Sequence, residues 1–187
     1  MQLLCLSLVV MRCQPLRRAL CFFRKIMIRE ITKSDFESFW PTFLDVIQAQ
    51  ETYAFEPTMT LEQAYSIWCE LPLKTFVFIE NDVVLGTYYI KPNATGPSSH
   101  ICNCGYMVSS KARGKGVARK MCEHSQKIAV ELGFEAMQFN SVVSTNEVAV
   151  SLWQNLGFEV IGRIPKAYKH GRLGYVDSLI MYKWLQT

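Results

Sequence analysis

The run Arg113-Gly114-Lys115-Gly116-Val117-Ala118 sets two glycines and two cations where an apolar, strand-like stretch gives way to a helical pattern. Glycine lets the main chain approach a ligand closely, the first amides of a helix have no partner inside it, and the helix dipole favours negative charge at that end. A phosphate or diphosphate suits such a loop, and Arg119 adds a further cation. Two glycines before a helix also make an ordinary turn, so the spacing alone leaves both readings open. The segment lacks the GxxxxGK[ST] of a P-loop, and the helices and hairpin ahead of it do not make the βαβ start of a dinucleotide-binding fold.

Three asparagines carry the remaining polar chemistry. Asn103 and Asn140 fall inside strand-like runs, where asparagine is disfavoured. Asn146 stands at the head of a helical pattern. Buried amides satisfied by strand ends, and a helix cap, would account for all three without a ligand; a binding or polarising role is the competing reading. Glu80, closing a strand, is a reserve candidate for a base, although a solvent-facing strand end explains it as well. Among the histidines, His124 is expected in solvent on a long helix, and His100 and His170 in or near loops.

Periodicity supplies the elements that must hold these residues. Met27 to Ile31 reads as a strand, Thr32-Lys33-Ser34-Asp35 as a helix cap, and Phe36, Phe39, Trp40, Phe43, Leu44 and Ile47 recur at helical intervals, with a kink expected at Pro41. Thr60 and Gln63 form a second capping box, opening a helix that ends before Pro72; residues 52–58 between the helices are irregular. Residues 75–80, the turn Asn81-Asp82 and residues 83–90 read as a hairpin, residues 92–99 as a loop, and His100 to Val108 as a strand without a carboxylate. A long amphipathic helix is predicted over 115–132, ended by Gly133, then a strand over 135–142. Ser144-Thr145-Asn146-Glu147 caps a helix closed by Gly157. Phe158 to Ile161 and Tyr175 to Trp184 supply the last strands, joined by a basic loop containing Lys166, Lys169, His170 and Arg172. The order β-α-α-β-β-β-α-β-α-β-β gives an α+β chain with a mixed sheet, because strands joined by short turns pair antiparallel and the helical crossover joins parallel neighbours.

Composition narrows the function. The 187 residues suffice for one domain, and half of them are apolar while 19% are charged, a globular balance. The net charge of +4 is mild and no basic cluster is interleaved with aromatics, so nucleic acid is not an expected partner. Seven cysteines without a CxxC pair indicate neither a zinc site nor a disulfide framework and fit a reducing, cytoplasmic setting. Residues 1–26 combine a short apolar run with five cations and no carboxylate. The run is too short to span a membrane, and its charges follow it rather than precede it as in a signal peptide. We expect residues 1–26 to be an extension outside the fold, with an organellar presequence as the alternative, and 27–187 to be a single domain.

The glycine loop resembles the signature Arg/Gln-x-x-Gly-x-Gly/Ala of the GNAT N-acyltransferase family, met as Arg113-x-x-Gly116-x-Ala118, and Asn146-x-x-Ala149…Trp153…Leu156-Gly157-Phe158 resembles its second element. The likeness runs from about Met27 to Leu185 and implies the GNAT fold: a mostly antiparallel sheet of seven strands, splayed between strands four and five, with four flanking helices. It implies acetyl-CoA as co-substrate, with its diphosphate on the amides of residues 113–118. The pantetheine arm would lie between strands 102–108 and 135–142, pairing with Met107 and Val108 and with Asn146. Many members carry Tyr where Trp153 stands here, as acid for the leaving thiolate; indole cannot fill that role.

Several members also place a Glu on the fourth strand, and this chain has none there. Asn103, Asn140 and Asn146 are similar instead to the set in acetyltransferases acting on proline analogues such as azetidine-2-carboxylate. By that resemblance Asn103 would hold the acceptor's carboxylate or amine, and Asn140 would orient the amine or polarise the thioester. Thr52-Tyr53-Ala54-Phe55-Glu56-Pro57 is similar to the acceptor segment of phosphinothricin acetyltransferases, which makes Tyr53, Phe55 and Glu56 candidates for contact with a small amine; Tyr175 and Asp177 on the last hairpin are weaker candidates, with ordinary strand packing and pairing as the alternative. The expected activity is N-acetylation of a small amino acid or analogue in a ternary complex, with no metal. Acetylation of a protein N-terminus or lysine, and CoA binding without catalysis, are the alternatives. Exposed sheet edges make a homodimer plausible.

Overall fold

The computed structural model describes residues 25–185; the expectation for residues 1–26 falls, apart from its last two residues, outside them. The elements run β1 Ile26–Glu30, α1 Lys33–Ala49, α2 Leu61–Tyr65, β2 Lys74–Glu80, β3 Val83–Pro92, β4 Ile101–Val108, α3 Val117–Glu131, β5 Ala136–Val143, α4 Glu147–Asn155, β6 Glu159–His170 and β7 Gly174–Trp184. Both predicted capping boxes form: Thr32 with Asp35 opens α1, and Thr60 with Gln63 opens α2, whose last residue leads into a π-helical turn at Ser66–Glu70. Helix α1 continues through Pro41. The β2–β3 turn takes positive φ at both Asn81 and Asp82 (50° and 62°), the backbone that a two-residue hairpin with right-handed twist requires.

The seven strands form one sheet in the order β1-β2-β3-β4-β5-β7-β6, antiparallel except for β4 beside β5. Side chains alternate across it, so β4 sends Cys102 and Cys104 into a core under α3 and α4, and Met107 into a second, aromatic core under α1 and α2. Phe36, Phe43, Ile47 and Trp68 are fully buried in the second core.

Two features depart from a regular sheet. Strands β4 and β5 each have eight residues, yet pair only over Ile101–Asn103 and Ala136–Gln138. Each keeps its other neighbour further along, although β5 is bulged between Phe139 and Val142, so the two strands fork apart. The second departure corrects the sequence reading: the basic loop expected after Ile161 is strand. β6 runs twelve residues to His170 and includes Lys166 and Lys169, leaving only residues 171–173 as the turn. Pro165 and the positive φ of Lys166 (55°) break its alternation, and its register against β7 slips between Ile164 and Tyr168.

Candidate active site

The ladder between β3 and β4 decides which main-chain groups face the fork. Ser109 N–H donates to Leu85 O and Asn93 N–H to Ile101 O, both at 2.8 Å, so odd-numbered residues of β4 bond to β3. The even-numbered ones, Cys104, Tyr106 and Val108, turn their main-chain groups to the gap. Val108 therefore turns its main chain to the gap, whereas Met107 has its main chain in the β3 ladder and its side chain in the aromatic core.

Beyond the open end of the gap lies the glycine loop. Gly114 and Gly116 both adopt left-handed φ (74° and 70°), a conformation that disfavours any other residue, and a Cβ on either would meet nothing within 4 Å. Gly116 is the N-cap of the 15-residue α3; no side chain caps the helix and no carboxylate stands in its first turn. The helix-start amides of Val117, Ala118 and Arg119 have no partner inside the helix and no side-chain cap, with Arg113 nearby in sequence, an arrangement that can hold an anion. Lys115 is committed elsewhere, its Nζ 3.1 Å from Glu80 Oε2.

At the closed end sits Asn103, only 6% exposed. Its Nδ2 donates to Gln138 O at 2.9 Å and its Oδ1 accepts from Tyr89 Oη at 3.1 Å. The polar chain continues on the same face: Gln138 Nε2 donates to Asn140 Oδ1 at 2.8 Å, and Asn140 Nδ2 to Asn93 Oδ1 at 2.7 Å. Asn103 and Asn140, two of the three asparagines singled out in the sequence, are thus linked through Gln138, one buried at the vertex and one exposed on the β5 arm.

An aromatic wall rises from this floor. Tyr89 meets Trp68 edge-on (centroids 4.9 Å apart), Trp68 meets Tyr53 at 5.6 Å, and Tyr53 stacks on Phe55 at 5.4 Å. Tyr53 Oη donates to Tyr106 O at 2.8 Å, occupying one of the carbonyls that face the fork; burial pushes its phenol well above the usual range, so it stays protonated. The β6–β7 hairpin clamps the segment: Tyr168 Oη donates to Tyr53 O at 3.0 Å, Gly171 N–H to Gln50 O at 2.8 Å, and Arg172 pairs with Glu51 at 2.5 Å. A small cavity of about 150 Å³ remains between Glu51, Thr52, Thr145, Asn146 and His170.

Residues 28–158 match the acetyltransferase (GNAT) family model. The chain belongs to that family. Its reaction class is therefore N-acetyl transfer. This GNAT chain is 35% identical over 152 residues to N-acetyltransferase aca1 of Schizosaccharomyces pombe, covering 81% of this chain and 67% of that protein. A GCN5-related N-acetyltransferase from Kribbella flavida shares its fold with a TM-score of 0.80 at 41% identity, over 85% of this chain and 97% of that one. A phosphinothricin acetyltransferase from Sinorhizobium meliloti, solved in complex with AcCoA, shares the fold at 19% identity with a TM-score of 0.75, over 85% and 88% of the two chains.

Several sequence expectations change in place. Glu80 is 8% exposed rather than solvent-facing, because the register of β1 and β2 covers it and Lys115 pairs with it. His124 is half-buried: its Nδ1 lies 2.6 Å from Tyr88 Oη and its ring against Phe76, and desolvation lowers its pKa. His170 is buried in β6, its Nδ1 accepting from the amides of Arg172 and Leu173. Asn146 caps α4, its Oδ1 accepting from Ala149 N–H at 3.2 Å while the residue also lines the small cavity. Trp153 is 7% exposed and packs on Tyr106 and Phe139. Glu56 is exposed, and Tyr175 is 67% exposed on the outer part of the hairpin. The sequence reading missed Tyr89, Gly105, Tyr168 and Lys91. Lys91 is the register partner of Asn103, and its ammonium lies 5.4 Å from the centre of the Tyr89 ring; a single lysine at a strand end gives no signal by itself. Among the described residues no group of three or more His, Cys, Asp or Glu is arranged to hold a metal.

Proposed function

We propose that this chain transfers acetyl from acetyl-CoA to the amine of a small amino acid or close analogue, by direct attack in a ternary complex. The observation that carries the reading is the floor of the fork: Asn103, Asn140 and the cation of Lys91 share one face beneath an aromatic wall of Tyr53, Phe55, Trp68 and Tyr89.

The residues present suit the co-substrate. The open amides at the start of α3, the two left-handed glycines and Arg113 fit a diphosphate, and the gap-facing main chain of β4, Val108 included, suits an amide-bearing arm. That the Sinorhizobium relative was solved with AcCoA supports this placement. Acetyl-CoA supplies an activated thioester. Asn103 and Asn140 offer amide donors for a developing oxyanion and for the acceptor, and Lys91 offers a cation for the acceptor's carboxylate. A carboxamide is not a base, so the amine's proton leaves through water, and holding amine and thioester together supplies much of the acceleration. Tyr53, Phe55 and Glu56 border the acceptor, with Tyr175 at its outer edge.

The test is thiol release from acetyl-CoA across amino acids, proline analogues, polyamines and short peptides. A carboxylate-bearing amine is expected to respond, and Asn103→Ala and Asn140→Ala each to lower the rate by roughly ten- to a thousandfold in folded protein. Response to peptides alone would transfer the reading to a protein acceptor. Binding of CoA without any turnover would favour a non-catalytic module.

A further inference from the structure

Resting on that reading of Asn103, we infer that Tyr89 is a positioning residue for the transfer: its hydroxyl fixes and polarises the Asn103 carboxamide at the vertex of the fork, and Gly105 exists as glycine to let it do so.

The geometry has three independent parts. First, the partner on the far side is a carbonyl. Gln138 O can only accept, so it must face the nitrogen of the Asn103 amide at 2.9 Å and not its oxygen. The amide oxygen then points to Tyr89, which donates to it at 3.1 Å. Burial pushes the Tyr89 phenol up to about 12, so it remains a donor throughout the physiological range. Nδ2 carries two hydrogens and Gln138 O takes one. A bond received at the oxygen strengthens the nitrogen as a donor through the second, because hydrogen bonds in a chain polarise one another.

Second, the ring reaches Asn103 by crossing a residue with no side chain. Tyr89 and Gly105 are register partners, and a Cβ at Gly105 would stand 2.5 Å from Tyr89 Cε1, 2.9 Å from Cζ and 3.0 Å from Oη. Gly105 has no left-handed backbone to explain it, and the obstructed atoms belong to a rigid ring. Third, the site coincides with the last paired residues of β4 and β5, Asn103 and Gln138. The Asn103 side chain adds a cross-strand bond where main-chain pairing ends, so its orientation bears on the vertex itself. Trp68, edge-on at 4.9 Å, and the Lys91 ammonium at 5.4 Å both neighbour the Tyr89 ring.

Tyr89→Phe keeps the ring and removes only the hydroxyl. With the acceptor identified by the panel, it is expected to lower kcat about tenfold while calorimetry finds acetyl-CoA binding unchanged, and to cost nothing further when combined with Asn103→Ala. Losses that multiply in the double variant overturn the inference, since the two residues would then act independently. A second readout needs no turnover. The Asn103 side-chain NH2 resonances, assigned by their loss in Asn103→Ala, are expected to lose their protection from hydrogen exchange by tenfold or more in both Tyr89→Phe and Gly105→Ala. Retained protection overturns the inference. If Asn103→Ala keeps the full rate, the catalytic role of Asn103 fails, while the NH2 resonances still decide whether Tyr89 holds that side chain.

Discussion

Lys115 sits in the glycine loop, yet its charge is shared with a buried carboxylate of β2, Glu80. Of the groups proposed to hold a diphosphate here, Arg113 and the helix-start amides are left by this pairing, while Lys115 fastens the loop to the end of the β2 strand. A second ion pair works for the fold alone. Arg29 grips Asp35 with two bonds, at 2.6 and 2.9 Å, and Asp35 also accepts from Thr32, tying β1 to the start of α1. The Arg29 guanidinium, with help from Thr32 and against the cost of burial, lowers the Asp35 pKa to about 2. A folded-state value below the unfolded one means stability that is present above about pH 4 and is lost as pH falls toward 2. Urea unfolding should show roughly 2 kcal/mol disappearing between pH 5 and pH 2 on this account. Arg29→Met should remove most of that dependence and lower stability at neutral pH.

At the scale of elements, the junction of β4, glycine loop and α3 joins fold to chemistry. Gly116→Ala asks an alanine to take φ of 70°, at a cost of roughly 1–2 kcal/mol, although nothing obstructs its methyl. The expected outcome is a lower melting temperature together with weaker CoA binding by calorimetry, because the left-handed turn is what aims the first amides outward. This junction was legible in the sequence, since glycines, cations and helical periodicity fall within a few adjacent residues. So were both capping boxes and the Asn-Asp hairpin, each a local rule. What escaped was set by partners far along the chain. Nothing local to Glu80 announces that β1 and Lys115 will bury it, nor to His124 that Tyr88 of β3 lies beneath its helix. Gly105 reads as an ordinary strand residue until the register places Tyr89 over it. β6 escaped for the opposite reason: an edge strand with one exposed face and a proline within it has little hydrophobic pattern to read.

For the molecule as a whole, the forked sheet leaves its two middle strands tied only at one end. A ligand that binds the folded state alone stabilises it by mass action. Acetyl-CoA at about one hundred times its dissociation constant should add about 2.7 kcal/mol. In a chain of this length that raises the melting temperature by roughly 5–10 °C, read by thermal scanning. Gly116→Ala should shrink the shift at the same ligand concentration.

The clamp between the β6–β7 hairpin and residues 50–53 joins parts of the chain more than a hundred residues apart, as in the Tyr168 to Tyr53 bond. Synthesis proceeds from the N-terminus, so the glycine loop and α3 leave the ribosome well before that hairpin does. The aromatic wall is then closed by a stretch of chain that emerges after both of them. A growing polypeptide thus acquires the strand, glycine loop and helix of that junction first, and the clamp on its aromatic wall later.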